Sequence, residues 1–179
     1  MKRYVAFLRG MNVGRRRIKN GELCACFADM GFSSVTAFLA SGNVIFDVAL
    51  DDPASVSTRI ESGLRQALRY DVPTFLRSAD EVKSIARYQP FTAAQLKRSK
   101  GKPQVALLSK QPTPAAERAV LELSTAADRL VIHGCELFWL PSGGLSESEL
   151  DLKRITAELG PMTIRTRNTL ERLVAKYLS

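Results

Sequence analysis

The sequence predicts an α+β fold built from two similar units, each an antiparallel sheet covered by helices. Three observations predict it. Apolar runs of strand length alternate with helical stretches in the order βαββαβ, the pattern restarts after a basic stretch, and two short segments recur in the second half at nearly constant spacing. With 179 residues and 45% hydrophobic content, the chain has ample material for buried cores.

The elements follow in order. Tyr4–Leu8 is an apolar strand, and Gly21–Met30 a helical stretch ended by Gly31. Val35–Leu39 and Val44–Val48 form a hairpin about Ser41-Gly42-Asn43, where Gly and Asn suit the positive φ of a two-residue turn. Ala54–Arg69 reads as a helix because Val56, Ile60, Leu64 and Leu68 recur at four-residue steps, and Val72–Leu76 is the closing strand. This βαββαβ order is the split βαβ arrangement of ferredoxin-like units, with two helices on one face of an antiparallel sheet. Ser78-Ala79-Asp80-Glu81 then reads as a capping box opening a helix to about Tyr88.

Residues 89–103, rich in Pro, Gly and Lys and strongly basic over Lys97–Lys102, mark the sharpest change of composition. They divide the chain into a first unit with a connecting helix (1–88), a basic linker (89–103) and a second unit with a C-terminal helix (104–179). The second unit reads as strand Gln104–Leu108, helix Pro114–Leu123, strands Leu130–Ile132 and Leu137–Leu140, helix Glu147–Leu159, strand Thr163–Arg167 and helix Thr169–Leu178. Asn168 or Thr169 is the expected N-cap of the last helix. Tyr4–Leu8 matches Gln104–Leu108 at an offset of 100, and Ser41–Phe46 parallels His133–Phe138 at an offset of 92. Two equivalent units, with hairpin tips at Gly42 and Gly134, are therefore expected.

Charge is distributed unevenly. The first twenty residues hold seven Lys or Arg and no acid, whereas the other 159 carry nineteen basic and eighteen acidic residues. A localised positive field faces an anion more readily than an even basic composition does. Its centre is the loop Arg9–Lys19, which joins a strand to a helix where backbone N–H groups can meet an anion. Gly10 and Gly14 would let the main chain approach closely, and Arg15 to Lys19 add formal charge. The spacing fits neither a Walker loop nor a dinucleotide fingerprint, and a solvated loop serving solubility is the competing reading. Ser41 and Asn43 would place polar groups at the hairpin tip, and Arg165 and Arg167 could hold a carboxylate or phosphate.

Other chemistries find little support. Cys24, Cys26 and Cys135 form neither an even disulfide set nor a zinc spacing, and a single histidine, His133, excludes a His-rich metal site. No metal or cofactor is expected. No apolar run approaches the roughly 20 residues that span a bilayer, so a cytoplasmic protein without a membrane partner is expected.

These residues resemble a known family. Tyr4–Gly14, Ile18-Lys19, Leu23, Gly31-Phe32, Val35 and Ser41-Gly42-Asn43-Val44-Ile45-Phe46 are similar to the bacterial domain-of-unknown-function 1697 family, in which R-G-[IM]-N-V-G is followed by I-K and later S-G-N-V-x-F. Ser148-Glu149-Leu150 stands where that family has S-K-L, and Arg165–Thr169 where it has R-N-W-N-T. The resemblance spans essentially the whole chain and implies a pair of ferredoxin-like units, not an activity. This chain departs from the pattern at Arg15, Ala37, Phe38, Ala40, Glu149, Thr166 and Arg167.

The leading expectation is a protein that binds a small anionic ligand in a groove between two α+β units, as a monomer or homodimer. Arg9, Gly10, Asn12, Gly14, Arg15, Lys19, Ser41, Asn43, Arg165 and Asn168 would line that groove. One alternative is an enzyme acting on a phosphorylated or carboxylated small molecule, with arginines clamping charge, although no acid–base residue stands near the basic loop. Another is an RNA- or DNA-binding module using the sheet, although the aromatic signature of such modules is absent.

Overall fold

The computed structural model describes residues 1–12, 14, 17–40, 42–49, 52–144 and 148–179. The chain divides into two compact units, Met1–Lys83 with Tyr177–Ser179, and Ser84–Lys176. No helix among the described residues is long and apolar enough to cross a membrane.

The first unit contains β1 (Lys2–Leu8), α1 (Asn20–Asp29), β2 (Ser33–Phe38), β3 (Asn43–Val48), α2 (Pro53–Leu68) and β4 (Thr74–Ser78). Its strands lie in the order β2-β3-β1-β4, every neighbour antiparallel. This is the split arrangement the element order predicts, with β3 inserted between β1 and β2. β1 is buried from Tyr4 to Leu8, which explains its unbroken apolar run. On one face Tyr4, Ala6, Leu8, Val44 and Phe46 pack with Leu23 and Phe27 of α1 and Val56, Ile60 and Leu64 of α2. α2 starts where Asp52 accepts from the Ser55 N–H at 3.1 Å ahead of Pro53, and ends at Arg69 in the left-handed region. At the other end of the chain, the Tyr177 carbonyl accepts from Arg3 Nη1 at 3.3 Å, and the Tyr177 ring meets Phe38 edge-on at 5.7 Å.

The expected two-residue turn at Ser41-Gly42-Asn43 is replaced by a longer loop. Phe38 pairs with Asn43, leaving residues 39–42 between the strands. Leu39 and Gly42 both take positive φ there, and Ser41 lies outside the described residues. Asn43 is already in the strand.

The chain continues through α3 (Ala79–Arg87), α4 (Ala93–Arg98), β5 (Gln104–Leu108), α5 (Pro114–Leu121), β6 (Asp128–His133), β7 (Glu136–Pro141), α6 (Leu152–Leu159), β8 (Met162–Thr166) and α7 (Arg167–Tyr177). The second sheet runs β6-β7-β5-β8, again wholly antiparallel. Ala106, Leu108, Leu137 and Trp139 pack with Val120 of α5 and with Ile155 and Leu159 of α6. The capping box at α3 forms as expected, with Ser78 N–H donating to Glu81 and Glu81 N–H donating to Ser78 Oγ. Three local readings are corrected. The basic segment 89–103 contains α4, itself opened by a capping box of Thr92 and Gln95. α6 begins at Leu152, not at Glu147, which lies outside the described residues. α7 begins at Arg167, so the cap is Thr166, whose Oγ1 accepts from the Thr169 N–H at 3.2 Å, and not Asn168 or Thr169.

Strand register shows how far the repeat extends. β5 is central like β1, and the offset of 100 holds, since Val5 pairs with Ile45 and Arg77 while Val105 pairs with Phe138 and Arg165. The hairpin offset is therefore 93 rather than 92. Phe46 corresponds to Trp139, and Asn43 to Glu136. The backbone agrees, because Leu8 N–H donates to the Gly42 carbonyl at 2.7 Å and Leu108 N–H to that of Cys135 at 2.9 Å. The loops themselves differ in length, His133 pairing with Glu136 across only Gly134 and Cys135.

Candidate functional site

The basic loop after β1 is pinned at its centre. Met11 is buried, and the Met11 carbonyl accepts from the Tyr70 hydroxyl at 3.4 Å. Asn12 uses both ends of its amide. Its Nδ2 donates to the Ala40 carbonyl at 2.6 Å, and its Oδ1 accepts from the Ile18 N–H at 3.1 Å. Asn12 thus clips the basic loop shut and ties it to the hairpin loop 39–42. The two loops also touch at Gly42, where a Cβ would lie 2.9 Å from Met11 Cγ and 3.0 Å from Leu8 Cβ.

Around this clip the chain presents cations to solvent. Arg9, Arg17 and Lys19 are exposed, as is Gly14. Gly10 and Gly14 adopt φ of +74° and +62°, the left-handed region where the absence of a side chain permits a tight reversal. Arg17 Nη1 donates to the Gly14 carbonyl at 3.2 Å, while the Arg9 N–H is held by the Pro73 carbonyl at 3.0 Å. Lys19 precedes α1, and its N–H is taken by Glu22 Oε2 at 2.9 Å. Arg15 and Ser41 lie outside the described residues. Asn43, by contrast, does not project from the hairpin tip. It is fully buried, and its Nδ2 donates to the Phe38 carbonyl at 2.8 Å.

Arg165 and Asn168 belong to the second unit. Arg165 is buried, and its Nη1 donates to Thr163 Oγ1 at 2.8 Å and to the Ile164 carbonyl at 2.9 Å. Burial pushes its guanidinium down to about 10, which still leaves it charged at neutral pH. Asn168 is exposed in the first turn of α7. Arg167 is engaged by Glu171 at 2.8 Å, Gln89 at 2.8 Å and the Ala86 carbonyl at 3.3 Å.

Two features escaped the sequence reading. Arg77 is the counterpart of Arg165: it too is buried, pairs with the equivalent valine, and donates through Nη1 to the preceding carbonyl, that of Leu76, at 2.9 Å. The similarity of Leu76-Arg77-Ser78 to Ile164-Arg165-Thr166, at an offset of 88, was the available signal. In the second unit, the buried Asp128 accepts at Oδ1 from Trp139 Nε1 at 2.7 Å and from Ser148 Oγ at 2.9 Å. No spacing in the sequence announces that cluster.

A family model described as "Protein of unknown function (DUF1697)" matches residues 1–138. No curated protein matches the chain. Among solved structures, the conserved bacterial protein SP0830 from Streptococcus pneumoniae is similar at a TM-score of 0.72 and 20% identity, over 97% of this chain and 96% of that one. That likeness shows a shared fold along nearly the full length of both chains.

Proposed function

The chain belongs to the DUF1697 family, a family of unknown function, and from that premise we propose that the protein binds a small anionic ligand at the Arg9–Lys19 loop of its first unit. The observation that carries the reading is the Asn12 clip. A loop serving solubility alone has no need of a buried Met11 and a doubly bonded Asn12, with hydrogen bonds to Ala40 and Ile18, to fix its course. The exposed Arg9, Arg17 and Lys19 stand on either side of this clip along the chain, and a held backbone lowers the ordering cost of binding. Two left-handed glycines and the start of α1 offer backbone close by.

A nucleic-acid role through the sheet is less well supported. Modules of that type stack bases on exposed sheet aromatics. Phe7, Phe75 and Phe138 are all buried here. The test is a thermal-shift titration with inorganic phosphate, phosphorylated metabolites and short RNA, comparing the native chain with an Arg9→Ala/Lys19→Ala variant. Saturable stabilisation by a phosphorylated small molecule that the double variant loses supports the reading. Equal responses in both proteins refute it. An affinity for RNA falling steeply with salt, about one unit of log–log slope per phosphate contact, would place nucleic acid in the small molecule's stead.

A further inference from the structure

The basic stretch between the two repeats also walls a cavity of the second unit. The cavity has a volume of about 420 Å³, within the range of small-molecule sites, and its lining includes Arg98 and Arg129 but no acidic residue. Arg98 ends α4, and Arg129 stands on the edge strand β6. Strand alternation sets Leu130 in the core with α5 and α6. Arg129 therefore falls on the opposite face with its cross-strand neighbour Leu140, which lines the cavity too.

The walls are fixed before any ligand arrives. Ser99 Oγ donates to the Pro141 carbonyl and accepts from the Gly101 N–H at 3.1 Å, while the Lys100 N–H donates to the Ser142 carbonyl at 3.0 Å. A Cβ on Gly101 would strike the carbonyl oxygens of Pro141 and Gly143, so glycine is what lets the basic stretch lie this close to the end of β7. The polar lining offers more donors than acceptors. In the capping box of α4, Thr92 Oγ1 accepts from the Gln95 N–H at 3.2 Å and Gln95 Oε1 accepts from the Thr92 N–H at 2.8 Å. That leaves the Thr92 hydroxyl proton and the Gln95 amide protons to donate. Among the described residues neither the Arg98 nor the Arg129 guanidinium has a hydrogen-bond or ion-pair partner, although Arg129 is half-buried.

We infer that this cavity binds an oxyanion, the phosphate or carboxylate of a small molecule, with Arg98 and Arg129 as its charged donors and Thr92 and Gln95 as neutral ones. A guanidinium takes either oxyanion in bidentate fashion, and its hydrogen bonds are strongest to an acceptor that carries negative charge. A cationic ligand would meet two positive charges and no counter-charge. The site lies in the second unit and shares no residue with the Arg9–Lys19 loop.

The experiment is isothermal titration calorimetry with inorganic phosphate and with succinate at matched ionic strength, on the full chain carrying Arg9→Ala/Lys19→Ala so that the first loop is disabled. Saturable binding of at least one oxyanion is expected, and the arm that responds tells phosphate from carboxylate. Arg98→Ala, at the exposed end of α4, should weaken it by about tenfold or more with an unchanged melting temperature, and Arg129→Gln should weaken it as much. Arg118→Ala, exposed on α5 and outside the cavity lining, removes the same charge and should leave the affinity unchanged. The inference is overturned by no saturable binding of either oxyanion, by unchanged affinity in Arg98→Ala and Arg129→Gln, or by an equal loss in Arg118→Ala. Binding by the native chain that Arg9→Ala/Lys19→Ala abolishes entirely would uphold the first-loop reading and overturn this one.

Discussion

Gly10 and Gly42 share a φ of +74°, but only Gly42 is crowded, and that pair permits a controlled prediction. A Cβ on Gly10 meets nothing within 4 Å, so Gly10→Ala should lose only the backbone preference for glycine, about 1–2 kcal/mol. A Cβ on Gly42 would lie 2.9 Å from Met11 Cγ, 3.0 Å from Leu8 Cβ and 3.3 Å from the Leu8 carbonyl oxygen. Met11 is flexible and can give way. Leu8 cannot easily do so, because its N–H is bonded to the Gly42 carbonyl and its side chain is buried in the core of the first unit. Overpacking of this kind costs about 1–3 kcal/mol, so Gly42→Ala should lose about 2–5 kcal/mol in total. Urea unfolding of the two variants side by side isolates the packing contribution, since the backbone contribution is common to both. At about 2–4 °C per kcal/mol for a chain of this size, the difference is also readable as a melting temperature several degrees lower for Gly42→Ala. Equal losses in the two variants would refute the reasoning, because they would mean that the hairpin loop does not seat on Leu8 and Met11.

Tyr4→Phe should raise stability by about 1–3 kcal/mol by equilibrium unfolding, since the Tyr4 hydroxyl is buried without a partner among the described residues; a loss instead would reveal a hidden partner. Asp47 is held below the usual carboxylate range by the hydrogen bond from Arg3, whose Nε and Nη2 both lie 2.8 Å from its oxygens. A depressed folded value gives stability that is present above the unfolded value of about 3.9 and lost as pH falls through the folded one, so Asp47→Asn should flatten the acid limb of the stability curve. An acid limb of unchanged slope contradicts that. Arg77→Ala and Arg165→Ala each remove a charge-assisted hydrogen bond to the preceding carbonyl and should each lose about 1.5–3 kcal/mol in urea. A neutral result at one of them alone would break the equivalence of the two units.

Much of the architecture was legible in the letters. β1 and β5 stand out because a strand buried on both faces needs an unbroken apolar run, and α2 because its buried residues recur once per turn. Matching Phe46 to Phe138 by residue type sets the hairpin equivalence one residue out. Register, which sets Phe46 beside Tyr4 and Trp139 beside Gln104, is decided by backbone hydrogen bonds, and one step exchanges the two faces of a strand. α4 is short and polar and so leaves no periodic signal, and its one mark in the sequence is the capping pair Thr92 and Gln95. The candidate site was legible only in part. The charge of the first loop can be counted, but Asn12 acts on the backbone of Ala40 and Ile18, and a backbone partner leaves no trace in residue types. Asp128, Trp139 and Ser148 meet across separations of 11 and 20 residues, which no local pattern encodes.

The inclusion of Tyr177–Ser179 in the first unit bears on the order in which the protein can be finished during synthesis. All strand ladders of the first sheet lie within residues 2–78, so the sheet can assemble as soon as β4 has left the ribosome. The Tyr177 carbonyl that accepts from Arg3 follows it by 174 residues. Tyr177 lies 177 − 78 = 99 residues beyond Ser78, the end of β4, so at about 5–20 residues per second that partner emerges roughly 5–20 s after the sheet can form. During that interval the nascent first unit carries Arg3 and Phe38 without their contacts to Tyr177, and its final closure waits on translation rather than on folding.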